Sequence, residues 1–100
     1  MLVLQKKVGL SPEVKSIAGQ DSLLDVLQET VSGYIESVSF DTPLGRFAVI
    51  CNEDGRLMGL PYNCTIEGVD FVGDVVIAGI GEDDFTDTPE RVIHFFERIL

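Results

Sequence analysis

Residues 46–63 read RFAVICNEDGRLMGLPYN, and the fold turns on how that stretch is divided. Its first half, from Phe47 to Cys51, is an unbroken apolar run. A strand covered on both faces has that signature. Asp54-Gly55 follows, a strong two-residue hairpin signal. The reading therefore pairs residues 46–52 with residues 56–60 as an antiparallel hairpin. Pro61 has no amide to donate and cannot sit mid-strand in a central position. Gly59-Leu60-Pro61-Tyr62-Asn63 is then a second bend, serving either the fold or a partner.

Working outward, Val75, Val76, Ile77 and Ala78 form a second apolar run, expected to be the central strand, ended by Gly79, Gly81 and the acids Glu82, Asp83 and Asp84. Residues 34–40 alternate apolar and polar and read as a strand, closed by a turn containing Pro43 and Gly45. Residues 2–8 and 14–18 read as two more strands. Leu23, Leu24, Leu27 and Val31 share one face of a helix. Ser22 and Asp25 fit a capping box at its start, and Gly33 stands where a C′ glycine would end it. The last element opens on Thr88 as N-cap, Pro89 at the first helical position and Glu90 in the first turn. Val92, Phe95, Phe96 and Ile99 then fall at helical spacing. Strands and helices do not alternate regularly. The expected class is α+β, a mostly antiparallel sheet of five or six strands with both helices packed on one face.

The chain has 100 residues, which suits a single domain over 1–100 able to bury one core. No run approaches the length of a membrane span, and the lysines of the first ten residues follow the apolar start where an export signal would have them precede it. Cys51 and Cys64 are too few for a disulfide framework, so two reduced thiols in the cytoplasm are expected. The net charge is −10, with eight acids and no base between residues 66 and 90. Such a surface repels phosphate backbones and argues against direct nucleic-acid binding.

Catalytic chemistry finds little support. His94 is the one histidine, lies off the apolar stripe of its helix and has no partner for a His-based metal site or triad. Neither cysteine has an adjacent cation in sequence to activate it. The acids Asp83, Asp84 and Asp87 do not follow calcium-loop spacing. No glycine-rich phosphate loop is present. No cofactor or metal is expected, and the chain reads as a non-enzyme. The bend at Gly59–Asn63, with its rigid proline and hydrogen-bonding tips, is the feature most suited to binding.

The segments GYIESV, VICNEDGRLMGLPYN, FVGDVVIAG and DDFTDTPERV together resemble a small family of unknown function encoded by bacteriophages and mobile elements. The CNEDG…GLPYN segment is the most specific of these. The resemblance runs through nearly the whole chain and implies a phage-type origin in a bacterial host. It assigns no activity. It favours Asn52, Arg56, Gly59, Leu60, Pro61, Tyr62 and Asn63 as a binding surface. The family's pattern would place a basic residue after Pro-x-Asn; Cys64 stands there instead, which weakens any anion-binding role.

Three functions follow as expectations. The first is a non-catalytic accessory protein that binds a host or phage protein as an inhibitor or regulator of a host defence or replication system. The second is an acidic nucleic-acid mimic. The third is a small-molecule or nucleotide-sequestering binder, for which Arg46, Arg56 and the bend around Pro61 are the available donors. A membrane partner is not expected. An exposed sheet edge would invite a homodimer, although the sequence does not locate that edge.

Overall fold

The computed structural model describes residues 1–19 and 21–100. The elements in chain order are β1 (Leu2–Lys6), β2 (Glu13–Ser16), α1 (Leu23–Val31), β3 (Ile35–Thr42), β4 (Gly45–Asn52), β5 (Tyr62–Ile66), β6 (Val69–Val72), β7 (Val75–Ile80), β8 (Phe85–Thr86) and α2 (Glu90–Ile99). The main sheet runs β2-β1-β7-β4-β3, with β8 added to the far end of β7. Each of its pairings is antiparallel. The two apolar runs, β4 and β7, lie together inside it and are buried on both faces. β5 and β6 form a separate two-stranded sheet. Its turn holds Glu67 and Gly68, both at positive φ (49° and 79°), as a type I′ hairpin requires.

The α+β class and the antiparallel sheet are as expected. The placing of the helices differs in one detail. Side chains alternate across a strand, and along β7 Val75 and Ile77 join one core while Val76 and Ala78 join another. Helix α2 packs on the first side, where Val92, Ile93 and Phe96 meet Leu4, Phe47 and Val49. Helix α1 packs on the second, where Leu27 meets Val3, Ile50 and Val76. Each face therefore carries one helix. The reason is visible in β4 and β7 themselves. A strand apolar on both sides needs cover on both sides. The β5–β6 sheet shares the α2 side through Cys64, Ile66 and Phe71.

An aromatic chain knits that side together. Phe47 stacks on Phe40 at 5.4 Å and meets Phe96 edge-on at 5.3 Å, and Phe40 meets Phe71 edge-on at 6.5 Å. Pairs of this kind add roughly 0.5–1.5 kcal/mol each beyond area burial. Phe95, expected inside, is turned partly to solvent, and Ile93 is buried in its stead.

The caps also depart from the sequence reading. Ser22 caps α1 as expected, its Oγ accepting the Asp25 amide at 3.3 Å. At the other end the left-handed residue is Ser32 (φ 61°), and Gly33 follows it, its amide donating to Gln28 O at 3.0 Å. Gly33 is needed for space: a Cβ there would stand 2.6 Å from Asn52 Nδ2. Thr88 does not cap α2. Its hydroxyl donates to Leu2 O (3.1 Å) and Ile77 O (3.0 Å), and Pro89 takes the N-cap position. The competing acceptors lie far away in sequence, on β1 and β7. Among the described residues no helix is long and apolar enough to cross a membrane.

Candidate functional site

The stretch after β4 does not form the expected hairpin partner. Residues 54–58 make one helical turn, with the Met58 amide donating to Asp54 O at 2.8 Å. Gly59, at φ 68°, ends it. Its amide donates to Arg56 O (3.1 Å) and the Leu60 amide to Gly55 O (3.0 Å), the paired bonds of a Schellman stop. The Asp54-Gly55 signal was overridden by a glycine four positions later that closes a helical turn.

Asn52 holds the base of this turn. It is 5 % exposed. Its Oδ1 accepts the Asp54 amide at 2.8 Å, the bond an N-cap makes. Its Nδ2 donates to Val31 O (3.0 Å) and Ser32 O (3.2 Å), the open carbonyls at the end of α1. One side-chain amide thus caps two helical ends.

The other end is locked as firmly. Leu60 fills the space that Gly55 and Gly73 leave: a Cβ on Gly73 would lie 2.7 Å from its Cδ1. Pro61 O accepts the Gly73 amide at 2.7 Å. Asn63 Nδ2 donates to Lys6 O and Gly73 O, both at 2.8 Å, and its Oδ1 accepts Lys6 Nζ at 3.0 Å. Lys6 is itself buried, and its ammonium also donates to Lys7 O at 3.0 Å. In the sequence Lys6 is simply the first of two adjacent lysines. Nothing local signals that its partner is Asn63, 57 residues away.

Of the seven residues expected to bind, Asn52, Leu60 and Asn63 turn inward and carry structural bonds or packing, and Gly59 shapes the backbone. Arg56, Pro61 and Tyr62 are exposed. Arg56 Nη2 donates to Asp70 O at 2.8 Å, tying the turn to β6. Tyr62 Oη and Thr65 Oγ1 are hydrogen-bonded at 2.6 Å, and Thr65 Oγ1 donates to Asp70 Oδ1 at 2.6 Å. Between the turn, β6 and the outer part of the sheet lies a cleft of about 210 Å³, lined by Glu36, Val38, Cys51, Arg56, Leu57 and Phe71 among others.

What the two locked ends present was missed in the sequence. Leu57 is 90 % exposed and Met58 56 % exposed, both on the helical turn. Tyr34, 70 % exposed, sits at its foot, its carbonyl accepting the Glu53 amide at 2.8 Å. The readable signal is an apolar pair between Arg56 and Gly59, placed where a strand would have hidden one of them.

The acids between residues 66 and 90 do not line up as one row. Asp74 Oδ1 accepts the Val8 amide (2.8 Å), Asp84 Oδ1 the Phe85 amide (2.7 Å) and Asp87 Oδ1 the Leu2 amide (2.7 Å). Asp74 precedes β7, and Glu82, Asp83 and Asp84 follow its other end. Among the described residues no group of three His, Cys, Asp or Glu side chains gathers to hold a metal. His94 is exposed, 3.9 Å from Glu90.

Both cysteines are free thiols. Burial pushes the Cys51 thiol up, the Glu36 carboxylate adds to that, and Arg56 offsets part of it. Burial pushes Cys64 up as well, with Lys6 opposing. Thiolate is the reactive form, so native protein should react with Ellman's reagent more slowly than urea-unfolded protein at neutral pH. The difference should narrow as pH rises past the ordinary thiol range. The same sign governs stability: the thiol contribution is complete below the unfolded value of about 8.5 and falls as pH climbs through the raised native values. Fast stoichiometric labelling of the folded protein at neutral pH would contradict the placement of both groups.

The chain belongs to the family described as a domain of unknown function (DUF3846), whose model matches residues 1–100. No curated protein and no solved structure matches it.

Proposed function

We propose that this DUF3846 domain is a non-catalytic protein-binding module, an accessory protein of a phage or mobile element that regulates a host system. The observation that carries the reading is the Leu57–Met58 pair, held open to solvent on a turn anchored at both ends. A lone exposed leucine is ordinary. Here Asn52, Gly59 and Leu60 hold the backbone that displays two apolar side chains. Rigid presentation lowers the ordering cost of binding, and methionine adapts to irregular partner surfaces. The cleft rim adds Glu36, Glu53 and Asp70 against Arg56, which suits a partner whose apolar contact is bordered by basic residues.

The scattering of the acids, three of them bonded to backbone amides, speaks against a nucleic-acid mimic. Glu36, Glu53 and Asp70 line the cleft with Arg56, and that excess of acids disfavours an anionic small molecule such as a nucleotide.

The test is capture of a partner from a bacterial lysate by tagged wild-type protein and by a Leu57→Glu/Met58→Glu double variant. A partner taken by the wild type should be bound at least about tenfold more weakly by the variant, the size expected for removing interface anchors. The melting temperature should stay within a few degrees, because neither side chain is buried. Equal capture by both proteins, or no specific partner for the wild type, overturns the proposal.

A further inference from the structure

The main sheet ends on two edges, and only one is guarded. The β2 edge is four residues long, follows Pro12 and carries Lys15, paired with Glu13 at 2.7 Å. Short length, proline and lysine are the means by which sheets discourage further pairing. The β3 edge has none of them. It is eight residues long, contains no proline or lysine, and pairs with β4 through eight consecutive residue pairs without a bulge.

The phase of its free groups follows from one bond. The Glu53 amide donates to Tyr34 O, so alternate residues from Tyr34 onward exchange bonds with β4. Ile35, Ser37, Ser39 and Asp41 then aim their N–H and C=O groups away from it. Among the described residues no other strand pairs with β3. Ser37, Ser39 and Asp41 are exposed.

We propose that β3 is a dimerisation edge, which a second copy of this chain joins antiparallel about a two-fold axis at Val38. The occupant follows from self-complementarity. With Val38 opposite Val38, Ser37 faces Ser39, Glu36 faces Phe40 and Ile35 faces Asp41. This is the two-fold register in which all four outward-facing residues bond to one another. It places no like charges directly opposite, which would be destabilising. Val38 already packs at the margin of the α2-side core, so its pairing extends that core across the axis. The result is one continuous sheet with both clefts and both Leu57–Met58 turns on the same face. The inference stands apart from the binding proposal above, since either can fail alone.

The test is sedimentation equilibrium of the full chain over a wide concentration range at low and high salt. Wild type should show a monomer–dimer equilibrium. Each chain carries −10, so added salt should screen repulsion and tighten the dimer, the reverse of a charge-driven complex. Ser39→Pro deletes one outward N–H and leaves the β4 ladder intact, as proline is tolerated on an edge; it should be a folded monomer. Ser37→Glu/Ser39→Glu sets acids opposite acids at two exposed positions and should weaken dimerisation at least about tenfold. The double variant decides the matter if the proline variant fails to fold. A wild type that stays monomeric at all concentrations, or a dimer indifferent to the double variant, overturns the proposal.

Discussion

Gly79→Ala is expected to bring the domain to the edge of unfolding. Gly79 lies buried in β7, paired with Phe47 on one side and Thr86 on the other. A Cβ there would be driven into the carbonyl group of Asp87, whose backbone crosses over it. That backbone cannot easily retreat. Asp87 Oδ1 holds the Leu2 amide, the Thr88 amide donates to Leu2 O, and the Thr88 hydroxyl reaches Leu2 O and Ile77 O. Overpacking of a tight site costs about 1–3 kcal/mol, and each hydrogen bond given up to relieve it about 1 kcal/mol. The sum, roughly 3–5 kcal/mol, is a large part of the 5–15 kcal/mol that stabilises a typical domain. At about 4–8 °C per kcal/mol for a domain of this size, the melting temperature should fall by at least about 12 °C. Gly19→Ala is the control, since nothing stands within 4 Å of the position and its φ is not left-handed. Equal melting of the two variants would mean that the 85–88 segment does not cross β7 as described.

That crossing shows where sequence reading reached its limit. The apolar runs of β4 and β7 were legible because burial on both faces leaves no polar alternation to misread. The periodicity of α1 and α2 was legible for the same local reason. Thr88-Pro89-Glu90 also looked complete as a helix start, but the threonine hydroxyl is claimed by carbonyls of β1 and β7 that no local pattern announces. The error at Asp54-Gly55 was one of competition. A hairpin turn and the first residues of a helical turn share the same dipeptide, and Gly59 and Asn52 decided between them. Both helices were assigned to one face although β4 and β7, apolar throughout, already required cover on two. Within the candidate site the sequence marked the segment that builds the turn but not the side chains that the turn exposes. Asn52, Leu60 and Asn63 stood out because they are unusual residues in an unusual order. Their unusual character serves α1, Gly73 and Lys6, all distant in the chain, while the residues they hold up, Leu57 and Met58, looked like a strand.

Asn52→Asp separates scaffold from surface most sharply, because it changes one atom's chemistry and almost no volume. The new carboxylate keeps the acceptor that Asp54's amide uses. Its other oxygen replaces the Nδ2 that donates to Val31 O and Ser32 O, and so faces two carbonyls in a site only 5 % exposed. Burial and facing lone pairs both disfavour the ionised form, so its native pKa must rise above the unfolded value of about 3.9. For a raised carboxyl the variant is least disadvantaged below that unfolded value. Its disadvantage grows as pH climbs through the raised native one. At neutral pH the deficit against wild type should approach the roughly 3–5 kcal/mol of an uncompensated buried charge, and it should shrink steadily in urea titrations run toward pH 4. Asn52→Ala loses the same bonds without gaining a charge, so its deficit, about 1–3 kcal/mol, should stay level with pH. The slope of the Asp variant, measured against the flat line of the Ala variant, reports the carbonyls directly. A pH-independent deficit for Asn52→Asp would place the side chain away from the end of α1. A partner-binding defect with unchanged stability would return Asn52 from the scaffold to the binding surface that its sequence context suggested.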